Sequence, residues 1–223
     1  MPPKKHIIIF SHGFGVRKDD RGLLSEIAEN FANTETMLFD YNGVDETGKV
    51  LTVRLLSEQA KMLNEVIEKA RLENPDATID IIGHSQGCLV VGLVKPSGIR
   101  KTVFLAPSLD NDIEYTINIF KERPGTEINL SGVSRLTRRD GTTTLVSTEF
   151  WKEREEANPI SLYNTLAQQT GLIIINAKQD EILKEINTGD LNKNIKIIKL
   201  DSNHQFSGTE RRPLIEKIKE ILL

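Results

Sequence analysis

The chain has a single cysteine, Cys88, among its 223 residues. One thiol excludes an internal disulfide and any metal cluster built on several cysteines. It also suits a reducing compartment, so a cytoplasmic location is expected. Long apolar runs are missing as well. No stretch approaches the roughly 20 apolar residues of a membrane-spanning helix. The run behind the basic Met1 to His6 start is only Ile7 to Phe10, too short for the apolar core of a secretory signal. Charge of one sign is not in excess, because 29 Lys and Arg against 32 Asp and Glu leave a net charge of -3. Neither nucleic acid nor an anionic membrane is suggested as a partner. Repeats and low-complexity segments are absent and no seam divides the chain, so one domain spanning 1–223 is expected.

What is present is an alternation of strand and helix signals. His6 to Phe10 is a compact apolar strand that runs into Ser11-His12-Gly13-Phe14-Gly15, and Leu23 to Phe31 follows with helical spacing. Met37 to Phe39 predicts a second strand, with a Gly- and Asp-containing loop to Lys49 behind it. Leu56, Ala60, Leu63, Ile67 and Ala70 define one apolar face of a long helix that ends at Asn74-Pro75. Thr78 to Val91 reads as strand, sharp turn and helix, and Lys101 to Leu105 as a fourth strand. Leu172 to Asn176 and Asn194 to Leu200 are the fifth and sixth, with a short helix expected over Glu181 to Ile186. The closing helix has Pro213 in its first turn. This rhythm predicts an α/β chain with a mostly parallel, doubly wound sheet whose catalytic loops lie at the carboxyl ends of the strands.

Residues 107–169 interrupt the rhythm and are read as a cap insertion. It holds a helix over Asp112 to Lys121, a hairpin from Gly132 to Val146 that turns at Asp140-Gly141, and helices over Phe150 to Glu156 and Pro159 to Gln169. Phe150, Trp151 and Tyr163 either line an acyl pocket or anchor this cap to the core.

The turn in the third unit is Gly83-His84-Ser85-Gln86-Gly87, the G-x-S-x-G pattern that lifts a serine hydroxyl above the sheet end. The glycines have a mechanical reason, since strand and helix backbones pass too close there for a Cβ. A serine hydroxyl attacks only when a base takes its proton and a carboxylate holds that base in the right tautomer. Strand-exit loops supply both: Asp180 follows the fifth strand and His204 the sixth, giving the chain order Ser, Asp, His. Of the four histidines, His6 precedes a strand, His12 belongs to the first glycine loop and His84 lies inside the elbow, which leaves His204 as the base. Glu181 and Asp201 are the rivals to Asp180 as the acid. For the developing oxyanion, the backbone NH of Gln86 at the start of a helix offers one donor and that of Phe14 the second. Cys88 reads as buried helix packing.

On Gly83 to Gly87, His12 to Gly15, Phe39 to Gly43, Phe104 to Pro107, Asp180 and His204 to Phe206, the chain resembles the α/β-hydrolase serine hydrolases. Within them it is most similar to small intracellular cinnamoyl or feruloyl esterases and serine-aminopeptidase-like proteins. The resemblance implies the α/β-hydrolase fold, with about six strands of the family's sheet present here, and a Ser85–Asp180–His204 triad. It departs from the family pattern at Asn176 to Asp180, where the usual His-Gly before the acid is replaced. The expected activity is hydrolysis of a small-molecule ester through an acyl-serine, without metal or organic cofactor. The same constellation serves a thioesterase, an amidase or a peptidase, and a hydrolase fold can also act as a binding protein.

Overall fold

A computed structural model describes residues 4–183 and 188–223. In chain order the elements are β1 (His6–Ser11), α1 (Leu23–Glu29), β2 (Glu35–Leu38), β3 (Gly43–Val44), β4 (Val50–Thr52), α2 (Leu56–Glu73), β5 (Thr78–His84), α3 (Gln86–Val94) and β6 (Lys101–Leu105). Then come α4 (Ile113–Lys121), β7 (Ser134–Thr137), β8 (Thr143–Val146), α5 (Thr148–Glu156), α6 (Pro159–Leu166), β9 (Gly171–Ala177), β10 (Lys196–Leu200) and α7 (Arg211–Leu222). A six-stranded sheet in the order β10-β9-β6-β5-β1-β2 forms the centre, and every pairing in it is parallel. No helix among the described residues is long and apolar enough to cross a membrane.

Apolar side chains on both faces of the strands build two cores. Successive residues of β1 point to opposite sides, so Ile7 and Ile9 join Leu63, Ile67, Val91 and Leu166 beneath α2, α3 and α6. Ile8 and Phe10 join Leu23, Ile27, Leu214 and Ile218 beneath α1 and α7. A strand buried on both faces is apolar throughout, which is why β1 reads as one unbroken run. Its position also sets the site. From β1 the chain winds outward to β2 on one side and to β5, β6, β9 and β10 on the other. The strand order therefore reverses between β1 and β5, and ligands of open parallel sheets bind outside the carboxyl ends at such a point.

A second sheet, in the order β3-β4-β8-β7, lies in the cap region. Its hairpin turns where the sequence places it, with Asp140 Oδ1 accepting from the Thr142 amide at 3.0 Å and Gly141 at φ 81°. The other two strands correct the reading of the stretch before Lys49 as loop. The Asp45 carboxylate there gathers the Lys49 and Val50 amides, both at 2.9 Å, folding Gly43 to Thr52 into a small hairpin. β4 then pairs in parallel with β8, Leu51 opposite Thr144. Strands of two and three residues are too short to leave a periodic trace. Of the helix expected over Glu181 to Ile186, Glu181 to Leu183 are not helical and the remainder lies outside the described residues.

The tightest junction is the one between α3 and the sheet. A Cβ built on Gly87 would stand 2.1 Å from the Ser11 carbonyl oxygen and 2.8 Å from that of His12. Backbone cannot yield as a side chain can, so Gly87→Ala is expected to cost about 3 kcal/mol or more, against the 1–3 typical of overpacking. Urea unfolding of the purified variant measures this, and an unchanged midpoint would contradict the close approach.

Candidate active site

Ser85 joins β5 to α3 at φ 51° and ψ -120°, a backbone region in which a residue other than glycine is strained. The Ser85 amide donates to the Leu105 carbonyl at 2.9 Å, tying the turn to the end of β6. Gly83 faces the Cα and N of Cys88, each 3.1 Å from where its Cβ would be, so both glycines of the pattern are required by backbone contact. Cys88 is buried and burial pushes its thiol pKa well up, which makes it a packing residue.

The other two expected residues come together at the ends of β9 and β10. The His204 ring Nδ1 lies 2.7 Å from Asp180 Oδ2, while Asp180 Oδ1 accepts from the Ile182 and Leu183 amides at 2.9 Å each. Burial alone would raise the Asp180 pKa. The hydrogen bond and charge of His204, together with the two amides, overcome it and hold the carboxyl below its usual range. The rivals do other work. Glu181 Oε2 accepts from the His204 backbone amide at 3.0 Å, and Asp201 accepts from the Gln179 side chain at 2.9 Å. Ser85, His204, Phe14 and Gln86 line one cavity of about 340 Å³. No hydrogen bond joins the Ser85 hydroxyl to the His204 ring among the described residues. In unliganded sites such bonds are often long and tighten with substrate.

The remaining histidines are accounted for. His6 binds Asp80 at the amino end of the strands, away from the cavity. His12 accepts from the Tyr41 amide at Nε2 and faces the Gly13 carbonyl with Nδ1, so it is neutral, in keeping with a pKa lowered by burial. His84 forms a second histidine–aspartate pair that sequence reasoning missed. Its Nδ1 lies 2.7 Å from Asp20 Oδ2 and its Nε2 3.1 Å from the His204 carbonyl. Both nitrogens face acceptors, so the ring carries both protons. Burial opposes that charge, but Asp20 overrides it and raises the His84 pKa, while His84 and the Gly13 amide draw the Asp20 pKa far down against its own burial. Asp20 Oδ2 also accepts from the Gly13 amide at 2.8 Å, and its backbone carbonyl accepts from the Gln205 side chain at 2.6 Å. Arg211 adds a clamp that the sequence did not advertise, donating to the Phe206, Gln205 and Gly22 carbonyls around the His204 loop.

Aromatic residues close the cavity from the cap side. Phe14 stacks on Phe150 with centroids 5.5 Å apart and meets Trp151 at 6.0 Å. Phe150 and Trp151 thus line the cavity, whereas Tyr163 is buried against Phe104 and anchors the cap through its hydroxyl to the Ser108 carbonyl. Among the described residues no three His, Cys, Asp or Glu side chains are grouped as metal ligands.

No family model and no curated protein matches the chain. Solved structures do. Est1E from Butyrivibrio proteoclasticus, in a structure with ferulic acid bound, aligns at a TM-score of 0.74 and 18% identity, over 99% of this chain and 89% of that one. The Pyrococcus furiosus esterase Pf2001 aligns at 0.70 and 15%, over 98% and 81%. A monoacylglycerol lipase of Paleococcus ferrophilus aligns at 0.64 and 15%, over 97% and 93%. The chain has the α/β-hydrolase fold, as the resemblance read from its motifs implied.

The buried Asp20–His84 pair gives stability a pH signature. The His84 contribution is complete below its ordinary pKa of 6.5 and is lost as pH rises through the raised value. The Asp20 contribution is complete above its ordinary 3.8 and is lost as pH falls through the depressed one. Asp20→Asn is therefore expected to destabilise most between those two ordinary values, by about 3 kcal/mol, with a smaller difference in stronger acid and in alkali. Urea midpoints of wild type and variant across pH measure it; a difference independent of pH would exclude the ion pair.

Proposed function

We propose that the chain is a serine hydrolase that cleaves a carboxylic ester of a small acyl substrate through an acyl-serine intermediate. The observation that carries this reading is the 2.7 Å contact of His204 Nδ1 with Asp180, in the wall of the cavity that the Ser85 elbow enters. With Nδ1–H donated to Asp180, the lone pair of Nε2 is left to act as base. Ser85 Oγ attacks the ester carbonyl carbon as His204 takes its proton. The tetrahedral oxyanion is held by the NH groups of Phe14 and Gln86, each such donor being worth about a hundred- to a thousand-fold in turnover. Collapse expels the alcohol, which takes its proton from His204, and water then attacks the acyl-serine by the same route in reverse.

The raised His84 charge stays behind this machinery, because its protons are committed to Asp20 and to the His204 carbonyl. The structural neighbours are esterases and a lipase, which supports the reading from outside the chain. The single buried cysteine keeps a cytoplasmic location within the proposal.

Ser85→Ala is expected to lower kcat/KM for 4-nitrophenyl acetate and butyrate by about a thousandfold or more, and to abolish labelling by a fluorophosphonate. Asp180→Asn, which favours the wrong His204 tautomer, is expected to cost a comparable factor. Matched thioesters and anilides in the same assay separate ester hydrolysis from the other reactions this triad can run. If wild type neither turns over any of these nor is labelled, the serine-hydrolase reading is wrong.

A further inference from the structure

The cavity holds more positive charge than its chemistry uses. Five arginines line it, Arg21, Arg123, Arg138, Arg139 and Arg154, against three carboxylates, Asp20, Asp140 and Glu181. Among the described residues none of the five guanidiniums is in ion-pair contact with a carboxylate, and the hydrogen bonds of the three carboxylates go elsewhere, although the Asp140 charge is felt at Arg21 and Arg138. Asp20 serves His84 and Gly13, Glu181 serves the His204 amide, and Asp140 serves Thr142 at the hairpin turn.

Arg138 is the most constrained of the five. It is 7% exposed, and among the described residues its hydrogen-bond partners are neutral: Nε donates to Thr144 Oγ1 at 2.8 Å and Nη2 to the Phe14 carbonyl at 3.0 Å. The site is built around it. Gly15, at φ 56°, carries no Cβ, and one placed there would stand 1.8 Å from Arg138 Nη2. The ring of Phe120 lies between two guanidiniums, with Arg123 at 4.3 Å and Arg138 at 4.9 Å from its centroid. An aromatic face eases the burial of a cation but does not neutralise it. Arg154 on α5 is similar: Nη2 donates to Ser108 Oγ and the Asp110 carbonyl, and Nη1 is buried without a hydrogen-bond partner among the described residues, with the charges of Asp110 and Asp112 acting on the group from outside contact. The arginines also disfavour one another. Burial, then the charges of Arg21 and Arg123, push the Arg138 pKa down to about 9 against the smaller opposing pull of Asp140 and Asp20, and burial, then Arg139 and Arg21, lower that of Arg123. A buried guanidinium with no carboxylate in direct contact is costly in a folded chain, and a contacting anion is what a ligand can bring.

We infer that the substrate of this cavity carries, besides the bond that is cleaved, an anionic group, carboxylate or phosphate, that pairs with the cap arginines Arg138, Arg123 and Arg154. The inference rests on the serine-hydrolase reading for the reacting bond, but the anion site stands on its own geometry. The apolar wall of Phe14, Phe150 and Trp151 takes the hydrocarbon part of such an ester, and the arginine wall its charge. Planar guanidiniums bind either oxyanion in a forked geometry, so both groups remain within the class.

Turnover and binding test this separately. Wild type is expected to prefer mono-4-nitrophenyl glutarate over 4-nitrophenyl valerate, or 4-acetoxybenzoate over its amide, by about tenfold to a hundredfold in kcat/KM. The first pair places the charge in the acyl half and the second in the alcohol half; a phosphate-bearing aryl acetate extends the series. Arg123→Gln and Arg154→Gln are each expected to shrink the ratio of charged to neutral ester several-fold. Arg138→Gln is expected to remove most of it, provided its circular dichroism matches wild type. In Ser85→Ala, where no ester is turned over, glutarate and inorganic phosphate are expected to raise the melting temperature and neutral glutaramide is not. A wild type that turns over neutral esters as well as or better than their charged partners overturns the proposal, as does a ratio that survives in the arginine variants. A protein that hydrolyses nothing yet is stabilised by glutarate through Arg123 and Arg154 keeps the anion site and sinks only the hydrolase reading.

Discussion

Asp20 and His84 form a buried ion pair that ties together three of the four loops of the candidate site. The carboxylate holds the Gly13 amide beside Phe14, the imidazolium stands next to Ser85 in the elbow, and its second proton is given to the carbonyl of His204. One charged contact thus spaces the ends of β1, β5 and β10. Burying such a pair contributes little net stability, since the desolvation of both charges offsets most of their attraction. Its effect is geometric. The pair has one arrangement in which all its donors and acceptors are met, and that arrangement sets the proposed nucleophile, base and oxyanion donors relative to one another. Asp20 reaches this position through left-handed backbone at itself and at Arg21, a local strain consistent with a segment held by its contacts rather than by its own preferences.

The parts of this design that were legible in the sequence share a physical property: their determinants lie next to one another in the chain. β1 and β9 are apolar on both faces and carry unbroken runs at Ile7 to Phe10 and Leu172 to Ile175, and β5 carries one interrupted by Asp80. The elbow motif itself is local, with Gly83 and Gly87 each two residues from Ser85, although only Gly83 faces backbone nearby in the chain, that of Cys88, while Gly87 faces Ser11 and His12 of the β1 exit. Asp180 and His204 could be proposed because each stands in the short loop that follows a strand, whereas Glu181 and Asp201 pair with the His204 amide and the Gln179 side chain. Asp20 was not legible. It lies 64 residues from His84, in a loop without periodic pattern, and nothing in its neighbours marks it as buried. β3 and β4 escaped for a different reason, since the Asp45 turn and the β8 edge that stabilise them act on too few residues to leave a period.

The cap arginines fall between these cases, and β7 shows where the signal lay. Ser134, Leu136 and, one residue past the end of β7, Arg138 are buried in alternation, while Arg135 between them is exposed. A period of two over a hairpin therefore assigns Arg138 to the inner face, with Leu136 opposite Thr144 and Arg138 reaching the Thr144 hydroxyl. On composition alone Arg138 is an ordinary surface residue of a charged hairpin. Once the strand register is known, it is a cation on an apolar face.

That placement also bears on how the cap and the core fold together. Arg138 donates to the carbonyl of Phe14, the same residue whose amide is proposed to bind the oxyanion, and it occupies the space that Gly15 leaves open. β4, from between β2 and α2, completes the sheet that carries Arg138. The cap is therefore joined to the core by a parallel strand pairing and by a guanidinium against the β1 exit loop. A cap free to swing on a hinge would leave Arg138 exposed and the carbonyl of Phe14 without this donor. Its attachment to the loop that flanks Ser85 instead makes the proposed anion site and the proposed oxyanion donor share one contact, that of Arg138 with Phe14. An anion seated against Arg138 would be felt directly at Phe14.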